Sequence, residues 1–498
     1  MTSAKPLTDE FHANLDNQNL EIFCLIWLDA NANVKDARAT EQKLRSIINQ
    51  LKKFQDVAQC QKYIEKCSQN ERLVMIVSGR LGREIVPSIY KLRQVISIYV
   101  YCMDKESNKK WADKFAKVKA VVVELDQLIS QIEADHKIQK IVEEPLSINF
   151  FTTSTDAGKS TADVNGGFVF SQVLIDCLLR LKPTTKDKKE LINRCKQQYE
   201  GNSVDLSIIQ EFENNYSPDK ALWWYTRQSF FYKTLNAVLR TENIHMIFLF
   251  RAFISDIHHL LQKYQAKDFV RVFRSQLMSS DELETLKQRQ GQFISVNSFF
   301  STSTEYRQAL SFLNDSVAKT GLERVLFNID ADPKIVTAKS CADISAHSEF
   351  AHESEVLFTL GSIFRLKSII HSRDDNVWII RMILCSENEH DLREVLMYMK
   401  QQTGSGETNL RTLGKVLWKM GKLDLAEQYF IRLLKELPPN DHLLGNLYEE
   451  LGELASQKGD YNKSIEWHQK LLALKNPKVL IDVDKTSEIS ISMGKFIE

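Results

Sequence analysis

Residues 350–366 read FAHESEVLFTLGSIFRL, and this stretch places Glu353 and Glu355 two positions apart just before an apolar run. Val356, Leu357 and Phe358 favour an extended strand, Gly361-Ser362 breaks the run, and Ile363-Phe364 resumes it. In a strand, residues i and i+2 point to the same face, so both carboxylates project together at the strand mouth. Like charges held so close repel unless a cation, a polarised substrate or a proton lies between them. A solvated strand end would carry the same letters. What decides between the two readings is which residues the other strands bring alongside.

Working backwards, FVRVFRSQL (269–277), FISVNSFFSTS (293–303) and RVLFNID (324–330) also read as strands, and IFRLKSII (363–370) follows. Residues 168–265 are helix-rich before them, with WWYTRQSFFYKTLN (223–236) read as one helix. Helices first and strands afterwards predict an α+β domain with a largely antiparallel sheet. Two of the strands carry polar groups. Arg274 sits within VFRSQL, and Ser301, Thr302 and Ser303 stand at a strand end where Thr304 can cap the next helix. Each has a plain alternative: a surface ion pair for Arg274, a capping run for the hydroxyls. Tyr225 and the Trp223-Trp224 pair read as core aromatics, while Phe300 either lines a pocket or packs inside.

Taken in order, Arg274, then Ser301-Thr302-Ser303, then Glu353-Ser354-Glu355 resembles the arginine-specific mono-ADP-ribosyltransferase family, over about residues 168–385. The resemblance implies a central ADP-ribosyltransferase fold and transfer of ADP-ribose from NAD(P) to protein arginine with release of nicotinamide. Glycosidic cleavage of this kind passes through an oxocarbenium-like transition state. By the family pattern Glu355 holds the nicotinamide ribose and stabilises that cation, Arg274 binds the pyrophosphate, and Ser301 orients the ribose and Glu355. Glu353 would hold the acceptor guanidinium and take up its proton, chemistry suited to a second carboxylate. Ser275, Gln276, Phe300, Thr302 and Ser303 complete the NAD-contacting set that the resemblance implies. The family usually has Gly after the strand arginine, whereas this chain has Ser275, which a β conformation accommodates. An interaction scaffold with a silent pocket and an NAD glycohydrolase remain as other readings of the same motifs.

The rest of the chain frames this domain. At 498 residues it is too long for one core. Lys plus Arg and Asp plus Glu are 65 each, a balance that offers nothing to nucleic acid or an anionic membrane. Residues 1–19 read as a disordered tail. Residues 20–140 alternate strand and helix, with EIFCLIWLD, RLVMIVSG, ISIYVYCMD and AVVVEL as strands and EQKLRSIINQLKKF (41–54) as a helix. This predicts an α/β open parallel sheet, whose strand ends near Asp29, Ser78-Gly79 and Asp104 read as caps or turns before they read as a site. Residues 141–167 read as a Ser/Thr/Gly-rich linker. Its TSTDAGKS (153–160) ends like a phosphate loop, but Thr153 stands where that loop needs glycine.

Residues 386–408 read as a connecting helix and a Gly/Ser hinge, and 409–498 as helical repeats. LGKVLWKMGKLDLAEQYF from Leu413 matches LGELASQKGDYNKSIEWH from Leu451, so that Gly421 aligns with Gly459 and Tyr429 with Trp467. This resembles tetratricopeptide helix pairs, implying protein partners, with residues 485–498 as the start of a further repeat. None of the eight cysteines forms a CxxC pair or a metal-ligand pattern, several lie in apolar runs, and no window approaches the length of a bilayer span. With an N-terminus that lacks the features of a signal peptide, the expectation is a cytoplasmic protein without a metal.

Overall fold

The computed structural model describes residues 21–30, 38–68, 71–144, 146–151, 161–227, 229–313, 322–334, 341–349, 354–385 and 403–475, with a few positions between the last two. Four sequence expectations lie outside these residues: the tail at 1–19, the phosphate-loop-like 153–160, Glu353, and the segment 485–498. Contacts divide the chain into two compact units, residues 1–168 with 183–394, and residues 169–182 with 395–498.

The first unit holds two sheets. Its N-terminal part runs β1 (Phe23–Leu28), α1 (Arg38–Ile47), β2 (Leu51–Phe54), α2 (Val57–Lys66), β3 (Arg72–Ser78), α3 (Gly79–Ile89), β4 (Val95–Tyr101), α4 (Lys105–Ala112), β5 (Val118–Val122) and α5 (Leu125–Glu143). The five strands are parallel in the order β2-β1-β3-β4-β5. Strand alternation sorts the core into two layers. Cys24, Ile26 and Leu28 face one cluster of helices, while Phe23, Leu25 and Trp27 face the other. The helix expected over 41–54 ends at Ile47, and Leu51–Phe54 is the edge strand β2. Its apolar ends continue the helical spacing, which hid the change of period.

The second sheet follows, through β6 (Ile148–Phe151), α6 (Thr161–Leu179), α7 (Thr185–Gln198), α8 (Ser203–Asn215), α9 (Ala221–Thr226), α10 (Phe230–Arg240) and α11 (Ile244–Lys263). Then come β7 (Val270–Met278), α12 (Ser280–Lys287), β8 (Phe293–Val296), β9 (Phe300–Ser303), α13 (Tyr306–Ser311), β10 (Glu323–Ala331), β11 (Cys341–Asp343), β12 (Glu355–Phe358), β13 (Ser362–Ser372) and β14 (Val377–Leu384). The strand order is β11-β12-β9-β7-β10-β14-β13-β8-β6, antiparallel except where β10 meets β14. Expected as one helix, residues 223–236 fall in two, α9 ending at Thr226 and α10 starting at Phe230. Helix α11 is long and apolar enough to cross a membrane, but 72% of its apolar window is buried in the fold, so it reads as a core helix.

Helix α5 belongs to both sheets. Leu128 and Ile132 pack under the parallel sheet, whereas Ile138, Ile141 and Val142 pack with Leu277, Ala309, Leu313 and Leu326 of the antiparallel one. Its C-terminal carbonyls, left without helical partners, are met by Gln276, whose Nε2 donates to Val142 O at 3.0 Å and Glu144 O at 2.9 Å. The expected linker at 141–167 is therefore corrected at its start: α5 runs to Glu143, and Ile148–Phe151 is an edge strand paired with β8. SINFF (147–151) reads as strand-like in the sequence, and Ile148–Phe151 is that strand.

The second unit contains α14 (Leu410–Lys419), α15 (Leu423–Glu436), α16 (Leu444–Gln457) and α17 (Tyr461–Lys475), two helix pairs related by the 38-residue offset between Gly421 and Gly459. Both glycines adopt positive φ, +72° and +79°, and end the first helix of their pair. Gly414 lies against Phe430, and Gly452 against His468. A Cβ on either glycine would come within 2.4 Å of that ring. Residues 403–406 are no free hinge: Arg180 donates to Gly404 O (2.8 Å) and Gly406 O (2.6 Å), and Thr408 to Cys177 O at 2.7 Å. Residues 169–182, expected in the central domain, thus pack with the C-terminal helices.

Candidate active site

Strands β12, β9 and β7 are neighbours, and each delivers one of the residues singled out above. Glu355 stands opposite Ser303 in the register, and Ser301 shares that face two residues along β9. The Ser301 hydroxyl donates to Glu355 Oε1, fixing the carboxylate's orientation. From β7, Arg274 Nη1 donates to Ser301 O at 2.9 Å, and its guanidinium lies 5.4 Å from the centroid of Phe300. Its Nε is buried with no hydrogen-bond partner. A buried guanidinium donor left unmade costs free energy that an anionic ligand would recover.

The backbone ahead of Glu355 is held unusually. Ser354 has φ +46°, in the left-handed region that serine rarely occupies. Neighbouring bonds secure it: Thr304 N donates to Ser354 O at 3.2 Å, Glu355 N to Ser345 Oγ at 3.0 Å, and Ser345 Oγ to Asp343 Oδ1 at 2.6 Å. Upstream, Glu349 N donates to Thr226 Oγ1 of α9 at 2.9 Å. Ser354 thus lies outside the strand, and β12 starts at Glu355 itself.

A cavity of about 140 Å³ opens at these groups. Arg274, Ser275, Ser301, Thr302, Ser303 and Glu355 line it, and Tyr225, Tyr232, Gln308 and Phe312 are among the further lining residues together with Lys137, Lys140 and Ile141 of α5. A smaller hollow of about 30 Å³, lined by Asn236, Arg240, Ser298 and Phe299, shares Tyr225, Tyr232, Arg274 and Ser301 with it. Burial lifts both tyrosine phenols above their ordinary range, and the Glu355 charge adds to the effect. They are therefore neutral hydroxyls at any physiological pH, and Tyr225 donates to Asn236 Oδ1 at 3.2 Å.

Of the expected contact residues, Ser275, Thr302 and Ser303 line the cavity, whereas Phe300 and Gln276 do not. Phe300 is fully buried in the sheet core against Phe327, Phe358 and Phe364, because strand alternation turns it away from Ser301. Gln276 does not line the cavity, since its amide is committed to the end of α5. Ser275 lies within β7 as the β conformation requires, but its hydroxyl donates to Ala309 O of α13. Thr302 donates to Val356 O at 2.7 Å, tying β9 to β12, and Ser303 to Gln308 at 3.2 Å. Sequence reasoning missed Tyr232, Lys137, Lys140 and Gln308, and treated Tyr225 as core alone. Only the position of Tyr225 and Tyr232 in the helix pair ahead of the sheet could have marked them.

No curated protein matches the chain. Among solved structures, it is similar to an ADP-ribosyltransferase from Clostridium botulinum, at 14% identity over 39% of this chain and 95% of that one (TM-score 0.26). It is also similar to a protein from S. aureus solved with NAD, at 17% identity over 36% and 91% (TM-score 0.25). An ADP-ribosyltransferase of Pseudomonas syringae pv. Tomato is similar at 15% identity over 41% and 99% (TM-score 0.27). The segment that carries Arg274, Ser301 and Glu355, residues 186–385, matches the model of the ADP-ribosyltransferase exoenzyme family.

Proposed function

We propose that this protein is an NAD-dependent mono-ADP-ribosyltransferase that modifies arginine side chains of target proteins and releases nicotinamide. The observation that carries the reading is the meeting of Arg274, Ser301 and Glu355, from three adjacent strands, at one cavity. NAD supplies a glycosidic bond whose leaving group departs as a neutral ring, so the site has no need of an acid to protonate it. What it must supply is negative charge beside the sugar as positive charge develops there. Glu355, oriented by Ser301, does this. Arg274, always charged and with an unmade donor at Nε, suits the paired oxygens of a pyrophosphate. Tyr225 and Tyr232 offer aromatic surface and neutral hydroxyls to the same ligand.

Arginine as acceptor rests on Glu353, two residues before Glu355. A guanidinium attacks only after losing a proton, and a second carboxylate both binds it in a planar pair and takes that proton up. The C-terminal helix pairs, with their repeated glycine-to-ring packing at Gly414 and Gly452, suit a tetratricopeptide-like surface that recruits target proteins. Eight unpaired thiols suit the reducing cytoplasm.

The test is incubation with labelled NAD and an arginine analogue. Label transfer by the native chain and loss of transfer in Glu355→Gln are expected. Nicotinamide release without transfer would identify a glycohydrolase instead. No heat on calorimetric titration with NAD would identify a silent scaffold.

A further inference from the structure

The cavity that holds Arg274 and Glu355 has a wall the family match does not include. Residues 137–141 of α5, which precede the matched segment 186–385, place Lys137, Lys140 and Ile141 against it. Among the described lining residues the cations are Arg274, Lys137 and Lys140, and the carboxylate is Glu355. Such an excess of positive charge on the cavity wall belongs to the co-substrate side of the site, not to the acceptor side near Glu355. It suits a dianion.

Lys140 is the more telling of the two. It is half-buried, and burial with repulsion from Lys233 pushes its pKa down to about 8. Glu144, Glu21 and Asp205 oppose that shift, yet among the described residues none of them lies within ion-pair distance of it. A half-buried cation lining a cavity without a close counter-charge favours an anion there. The helix is in turn fixed at its end by Gln276, two residues along β7 from Arg274, so the lysines and the arginine are held in one frame.

We infer that Lys140, supported by Lys137, binds the pyrophosphate of the dinucleotide from the side opposite Arg274, so that the N-terminal α/β region completes the co-substrate site. This rests on the transferase reading above. It makes Lys140 a binding residue, acting on affinity and not on the bond that breaks. The α/β region thereby has a task in the reaction.

The experiment is calorimetric titration of the full chain with NAD, NADP, ADP-ribose and nicotinamide, in the native protein and in Lys140→Met and Lys140→Arg. Lys140→Met is expected to weaken NAD and ADP-ribose by about tenfold each, the scale of one charge-assisted hydrogen bond. Nicotinamide, which carries no phosphate, is expected to bind as before, which also reports an intact fold. Lys140→Arg is expected to restore most of the affinity. NAD bound equally by native protein and Lys140→Met would overturn the inference alone. So would a Lys140→Met variant that loses NADP but keeps NAD, because the partner would then be the 2′-phosphate. A native chain that binds no NAD would remove the transferase reading and this inference together.

Discussion

The two sheets of the first unit use polar residues at their strand ends in opposite ways. In the parallel sheet those residues are satisfied close to home: Asp104 accepts from Ser107 N at 3.0 Å, and its carbonyl accepts from Asn108 Nδ2 at 2.8 Å, capping α4. Gly79 is pressed against that same Asn108, with room for no side chain. In the antiparallel sheet the polar residues come from positions far apart, Arg274, Ser301 and Glu355, and one donor, Arg274 Nε, is left unmade. Local satisfaction marks a structural strand end. Convergence of polar side chains from separate strands on one cavity marks a place where a ligand belongs.

That contrast can be broken by experiment. The largest effect is expected for Glu355→Gln, which keeps the hydrogen bond from Ser301 and removes the charge. ADP-ribose transfer should fall by about 10²–10³-fold or more in kcat, with NAD affinity changed little, read by labelled-NAD kinetics. Arg274→Lys keeps the charge but loses the planar fork. It is expected to raise KM for NAD by roughly tenfold to a hundredfold while kcat stays within a few-fold.

A smaller effect is expected from pH. With a pKa of about 8, Lys140 carries its proton below that value and loses it above, so KM for NAD should rise between pH 7 and 9. The groups acting on it are Lys233 from α10, which lowers the value, and Glu144, Glu21 and Asp205, which raise it. In Lys140→Arg, whose guanidinium does not titrate there, the rise should vanish. Smallest of all, Asp104→Ala is expected to cost about 1 kcal/mol of stability as a lost helix cap and to leave transfer unchanged. A loss of activity in that variant would erase the distinction between the two sheets.

The antiparallel sheet was readable because its chemistry sits in short polar interruptions of apolar strands, and strand alternation then fixes which neighbours share a face. The same alternation, applied to residue 300, would have removed Phe300 from the contact set, since it cannot face the side that Ser301 faces. Gln276 was assigned by proximity to Arg274, and no pattern in the sequence shows that its amide closes the end of a helix more than 130 residues upstream. The lysines of α5 were illegible for a related reason. On an amphipathic helix, Lys137 and Lys140 look like any solvated face until a second sheet is laid beside them. Ser354 carries no letter that announces a positive φ. Glycine or asparagine there would have signalled a turn, whereas serine between two glutamates reads as strand.

The edge strand β6 has a consequence for how this molecule assembles itself. Ile148 must find Val296, and Phe151 must find Phe293, after the chain has made all the helices from α6 to α11 in between. Closing so long a loop delays the pairing relative to the local helical contacts, and during synthesis the segment waits on the ribosome for a partner not yet made. Refolding is therefore expected to show a late phase that tracks the completion of this edge, and an exposed β8 before it, the stage at which chaperone help would matter most.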